Sequence, residues 1–203
     1  GTDTIEKLCY ITPITICKPN IMNASSDVGI SRVAVGSIDW TSLVGENDGY
    51  SDFSNFTSTD LIIDQSYDIE VERTTNFNAM NRKVWVDYNK NGDFTDPGEY
   101  VCNEDSSTAL KWTGNFKVPQ NVDVGATTMR VSASFGSFPN TPCGPIYIGE
   151  VEDYRVNVSP DNAPPEITII GLNPDTIEKG YSYYDSGAIA IDKMFGPVPV
   201  SVN

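Results

Sequence analysis

Residues 87–99 read Asp87-Tyr88-Asn89-Lys90-Asn91-Gly92-Asp93-Phe94-Thr95-Asp96-Pro97-Gly98-Glu99. Oxygen-bearing side chains fall on alternate positions, and Gly92 permits the sharp turn that would wrap them round one hard cation. Ligand positions one, three and five of an EF-hand loop are spaced this way. That spacing makes Asp87, Asn89 and Asn91 the first candidate ligands, with Asp93 adding a carboxylate or a backbone carbonyl. Two features depart from an EF-hand. The entering residues are strand-like, and position twelve is Gly98, with the carboxylate one place later at Glu99. The reading is therefore a Ca2+ loop on a β scaffold, closed by Glu99, Asp96 or both. Its carboxylates face one base, Lys90, and such repulsion asks for a counter-ion. The competing reading is an Asn/Asp-rich hairpin turn held by its own side chains.

A second acidic segment follows at Gly149-Glu150-Val151-Glu152-Asp153-Tyr154-Arg155-Val156-Asn157-Val158. Tyr154, Val156 and Val158 share one face of a strand, and counting back by twos puts Glu150 and Glu152 on that face as well. A carboxylate on a core face must be paired, hydrogen-bonded or metal-bound. Glu150, Glu152 or Asp153 then supplies ligands to the loop or to a second site. The alternatives are a bulge at Gly149 or Val151 that re-aims the acids, or a solvated strand end.

The elements that must position these residues are strands. Apolar and polar residues alternate through residues 67–71 and 129–135, and again at Val84, Val86 and Tyr88. Helical periodicity is almost absent, and Gly, Asn, Asp, Ser and Pro clusters separate the runs. The expected fold is all-β, an antiparallel β-sandwich of jelly-roll or immunoglobulin-like kind. It spans residues 1–158, and residues 159–165, rich in Pro and Asn, form a linker. Residues 166–203 are too short for an independent sandwich and are expected to be part of a second module.

Composition excludes several functions. There is no histidine, which removes imidazole bases and histidine-based zinc sites. Carboxylate-only glycoside hydrolysis remains formally open, but the acids fall in metal-type spacing, and no enzyme is expected. A net charge of -15 disfavours nucleic acid and anionic lipid as partners. No apolar run approaches the length of a membrane span. The start, Gly-Thr-Asp-Thr, resembles a mature terminus. Four cysteines without a Cys-x-x-Cys pair suggest disulfides in an oxidising compartment. The favoured pairing is Cys9–Cys17 with Cys102–Cys143, which would hold the two acidic segments side by side. In the alternative, Cys9 or Cys17 reaches Cys143.

The string from Val84 to Glu99, followed by Gly149-Glu150-Val151-Glu152-Asp153-Tyr154, resembles the GEVED domain of secreted, Bacteroidetes-type bacterial proteins. Cys9, residues 49–53, Thr128-Met129-Arg130-Val131 and Pro142-Cys143-Gly144 extend the likeness over about residues 8–158. The resemblance implies a non-catalytic β module in a longer multidomain chain, secreted or on the cell surface. Residues 164–203 are similar to bacterial surface immunoglobulin-like repeats. The function expected is a calcium-stabilised binding or adhesion module for an extracellular glycan or protein. Aromatics in turn-like surroundings (Trp40, Tyr50, Phe53, Phe56, Trp112 and Phe138) are candidate contacts. A structural spacer beside a secreted protease or polysaccharide-degrading enzyme is the alternative.

Overall fold

The structure, a computed structural model, describes residues 15–24, 27–135, 141–193 and 196–201. Cys9 and Phe138 lie outside them. The chain divides into two compact units, Gly1–Ser159 and Pro160–Asn203.

In the first unit the order is β1 (Asn20–Ile21), β2 (Arg32–Val35), β3 (Ile38–Thr41), a 3-10 turn (Glu46–Gly49), β4 (Tyr50–Asp52), β5 (Ser58–Ile62), β6 (Ser66–Glu72), β7 (Met80–Val86), β8 (Tyr100–Ser107), β9 (Lys111–Lys117), β10 (Gly125–Phe135), β11 (Pro145–Ile146) and β12 (Gly149–Ser159). Two sheets result. One is antiparallel in the order β3-β2-β6-β9; the other runs β8-β7-β10-β12, with β4 and β5 both against β12. Val33, Val35, Ile69, Val71 and Phe116 of the first sheet pack against Val84, Val86, Met129, Val131, Tyr154 and Val156 of the second. Each such buried side chain contributes roughly 1.5–3 kcal/mol. This is the β-sandwich, and the alternating residues supply its core.

One edge departs from antiparallel pairing. Tyr50–Asp52 pairs with residues 151–153 and Ser58–Ile62 with residues 155–159, both in parallel. β4 and β5 thus act as one edge strand interrupted by residues 53–57.

The outer face of the six-stranded sheet is also buried, at Trp85, Arg130, Ser132 and Asp153. Residues 15–24 and 141–148 cover it. β1 pairs in parallel with β11, and Cys17 is bonded to Cys143 with a Cα–Cα distance of 5.5 Å. This corrects the favoured pairing: Cys143 partners Cys17, so neither Cys9–Cys17 nor Cys102–Cys143 forms. The reason is which face each cysteine occupies. Cys102 is opposite the core residue Val84, and its sulfur faces Gly114 of β9 in the interior; Cys143 belongs to the outer cover. Cys102 is a free thiol, and burial pushes it up to about 12.

The second unit is a three-stranded antiparallel sheet of β13 (Glu166–Ile169), β14 (Ala188–Asp192) and β15 (Gly196–Val198). Ile167, Ile169, Ile189 and Ile191 are exposed, and Ala190 is buried.

Candidate metal centre

β7 ends at Val86 and delivers Asp87 into the 87–99 loop. The loop is closed where Val86 N–H donates to the Glu99 carbonyl (2.9 Å) and Asp87 N–H to the Thr128 carbonyl (3.0 Å). Lys90, Gly92 and Gly98 take positive φ (58°, 86° and 93°), which lets the chain reverse within a few residues.

Inside the loop each short polar side chain caps the backbone ahead of it. Asp87 Oδ1 accepts from Asn91 N–H (3.1 Å) and Oδ2 from Gly92 N–H (3.0 Å). Asn89 Oδ1 accepts from Asn91 N–H (3.0 Å), Asn91 Oδ1 from Asp93 N–H (2.8 Å), and Asp93 Oδ1 from Thr95 N–H (2.6 Å). The last three are Asx turns, and the Asp87 carboxylate reaches further, four and five residues ahead. The residues with EF-hand spacing therefore shape the loop, while the carboxylates it brings together are Asp93, Asp96 and Glu99. Those three offer oxygens within 4.8 Å of one another. Asn89 and Asn91 stand at the edge of the group, both side-chain amides donating to Asp96 Oδ2 (2.8 and 2.7 Å).

The loop's carboxylates differ in their electrostatics. Burial raises Glu99 above the usual carboxylate range, and the charges of Asp87 and Asp96 push it the same way. Burial likewise raises Asp87, whereas the Thr95 hydroxyl and N–H hold exposed Asp93 low. Lys90 turns away and donates to the Val124 carbonyl. Asn89, Asp96 and Glu99 face Asn121 and Asp123 across a cavity of about 160 Å³. The surrounding donors are all hard oxygens, the set a calcium ion takes. Asn121 and Asp123 carry no local motif and arrive by tertiary folding: Asp123 N–H donates to the Tyr88 carbonyl (3.1 Å).

Asp153 is not brought to this group. Arg130 Nε donates to its Oδ1 (2.7 Å) and Nη2 to Oδ2 (2.6 Å), and the Tyr50 hydroxyl donates to Oδ2 (2.9 Å). Arg130 also reaches the Cys17 and Pro142 carbonyls (2.8 and 2.7 Å) and lies 4.4 Å from the centre of the Phe94 ring. Cys17 N–H donates to the Gly92 carbonyl (2.7 Å). Arg130 thus joins the loop, the disulfide-bonded cover and β12. Sequence reasoning missed it because nothing local distinguishes it from a solvent-facing arginine on an alternating strand.

Glu150 and Glu152 are fully buried on the opposite face of β12, the core face that period-two counting assigns them. Glu150 Oε2 accepts from Ile30 N–H (2.8 Å), and Glu152 Oε2 from the Tyr154 hydroxyl (2.6 Å). Burial raises Glu150 and pushes Glu152 up to about 7, against the opposing effect of the Ser42 and Tyr154 hydroxyls on Glu152.

No curated protein matches the chain. Among solved structures, the chain is similar to a family 123 glycoside hydrolase from Clostridium perfringens studied for glycolipid glycan hydrolysis. The identity is 12%, with 62% of this chain and 26% of that chain covered and a TM-score of 0.29. It spans about a quarter of that hydrolase's length. It is also similar to the GspB Siglec domain at 14% identity, covering 73% of this chain and 67% of that one, with a TM-score of 0.30. Residues 81–157, which run from β7 through the acidic loop and β10 to the acids of β12, match the family model of the GEVED domain.

Proposed function

We propose that the first unit is a non-catalytic, calcium-stabilised binding or adhesion module of an exported multidomain bacterial protein, with an extracellular glycan or protein as ligand. The observation that carries this reading is the convergence of Asp93, Asp96 and Glu99 in a loop whose own lysine is turned away. A hard dication there neutralises the cluster and fixes the loop, with its Phe94 ring against Arg130. No helix among the described residues is long and apolar enough to cross a membrane, and the Cys17–Cys143 bond suits an oxidising compartment. The GEVED match supports an accessory module.

Calorimetry in millimolar calcium against chelator tests the ion. At an ion concentration near a hundred times Kd, a rise in Tm of roughly 5–10 °C is expected. No rise removes calcium from the reading. A glycan and extracellular-protein array, with and without chelator, tests the ligand.

A second reading, the spacer, is favoured by the fate of the aromatics. Phe53 is buried in the core, Trp40 lies tilted against it with ring centres 5.2 Å apart, and Tyr50 is tied to Asp153. Phe56, 71% exposed, remains available for a ligand, beside the half-buried Trp40. A large calcium-dependent Tm rise without binding on any array would select the spacer.

A further inference from the structure

A polar cleft that shares no residue with the acidic loop lies at the edge where β5 meets β12. Its volume is about 380 Å³, and Ser54, Asn55, Phe56, Ser58, Arg155 and Asn157 line it. Tyr154, Val156 and Val158 of β12 enter the core, so Arg155 and Asn157 face outward. Parallel pairing sets Ser58 opposite Arg155 and Asp60 opposite Asn157. Residues 53–57, which interrupt the edge strand, form the other wall, and hydrogen bonds fix their shape. Asp52 Oδ1 accepts from Ser54 N–H (2.9 Å), and the Phe53 carbonyl accepts from Phe56 and Thr57 N–H (2.9 and 3.2 Å). The Phe53 ring is anchored in the core beside Tyr154, with ring centres 5.7 Å apart. Phe56 is left exposed, its ring centre 6.0 Å from that of Trp40.

Arg155 is exposed. Its Nε donates to Asn157 Oδ1 (3.4 Å), and Asn157 Nδ2 donates to Asp60 Oδ1 (3.1 Å). No ion pair among the described residues includes Arg155, so both terminal amino groups of the guanidinium remain for a ligand. That planar pair of donors matches a carboxylate in bidentate geometry. The other polar lining groups are hydroxyls and amides, which donate and accept at once, as sugar hydroxyls require. Phe56 offers a ring face to the apolar side of a sugar. A peptide ligand would instead need apolar anchor pockets, and the cleft holds a single aromatic. A net charge of -15, with Asp52 and Asp60 exposed on the same edge, repels a polyanion.

We propose that this cleft is a glycan subsite for a sugar bearing one carboxylate, a hexuronic or nonulosonic acid at the end of an otherwise neutral chain. Arg155 takes the carboxylate and Phe56 packs on the ring. The inference rests on the reading of this unit as a binding module, and adds the place and the ligand class.

The probes are oligosaccharides ending in a hexuronic or a nonulosonic acid, each beside its carboxyl-reduced counterpart, and an acidic peptide. Binding to the 203-residue chain is measured by surface plasmon resonance in millimolar calcium. At least one acid-ended sugar is expected to bind, and its reduced form roughly tenfold or more weaker; which acid binds identifies the source of the carboxylate. Arg155→Gln and Phe56→Ala alter exposed side chains, so Tm should hold while affinity falls roughly tenfold or more. Arg155→Lys should restore only part, because it keeps the charge and loses the fork. Reduced sugars that bind as well as the acids overturn the proposal. So does affinity unchanged in both variants, or an Arg155-dependent preference for the acidic peptide. Should a variant not fold, the comparison of acid with reduced sugar on wild type decides. A neutral glycan or a protein whose binding survives Arg155→Gln and Phe56→Ala, with no acid-ended sugar bound, sinks this subsite and leaves the binding-module reading standing. No binding by any probe or array ligand sinks both.

Discussion

At Arg130 one guanidinium satisfies a carboxylate, two carbonyls and an aromatic face, all out of water. Arg130→Ala leaves Asp153 buried without its cation and is expected to cost about 3–5 kcal/mol in urea unfolding. A loss under about 1 kcal/mol would mean that the network relaxes or admits water. Glu99 closes the acidic loop, and Glu99→Gln should weaken calcium there by roughly tenfold or more, read by titration. Glu152 gives a pH signature in chelator. Its folded value, about 7, lies above the ordinary 4.5, so the folded state binds the proton more tightly. That contribution to stability is full below about pH 4.5 and is lost as pH rises through 7. The urea midpoint of wild type relative to Glu152→Gln should therefore fall from about pH 5 to pH 8. A flat difference would show that water reaches Glu152.

At the scale of elements, Gly149 sets how closely β12 approaches β10. A methyl group there would stand 2.1 Å from the Ala133 carbonyl oxygen and 3.0 Å from Ile146. Gly149→Ala is expected to destabilise by about 3 kcal/mol or more, through overpacking against backbone that cannot yield. The cover over the outer face is held by a disulfide across 126 residues, worth up to about 5 kcal/mol on chain entropy. Reduction should lower Tm and also weaken calcium at the loop, because Cys17 N–H binds the Gly92 carbonyl. Calcium affinity unchanged by reduction would uncouple the two. The strands were legible because alternation in residues 67–71 and 129–135 is a local property. So was the core-facing position of Glu150 and Glu152, which follows from Tyr154 by counting. The disulfide was not legible, because it depends on which face of a sheet each cysteine occupies. Alternation on β10 suggests that Arg130 and Ser132 meet water; both are buried, and Arg130 is held by Cys17 and Pro142 of the aperiodic segments 15–24 and 141–148.

Across the whole molecule, the sequence shows where acids accumulate but not which ones meet. Regular spacing points to Asp87, Asn89 and Asn91, yet the carboxylates that converge are Asp93, which continues that spacing, together with Asp96 and Glu99 further along the loop. Asn121 and Asp123 join the same cavity only through tertiary contact. The free thiol of Cys102 lies between the two sheets, with its proton held up to about 12. It is only partly exposed, so an alkylating reagent reaches it freely only when β8 and β9 part. Its labelling rate is therefore a built-in gauge of how often the sandwich breathes, and slower labelling on adding calcium would report, from the far side of the sheet, how far an ion's grip extends.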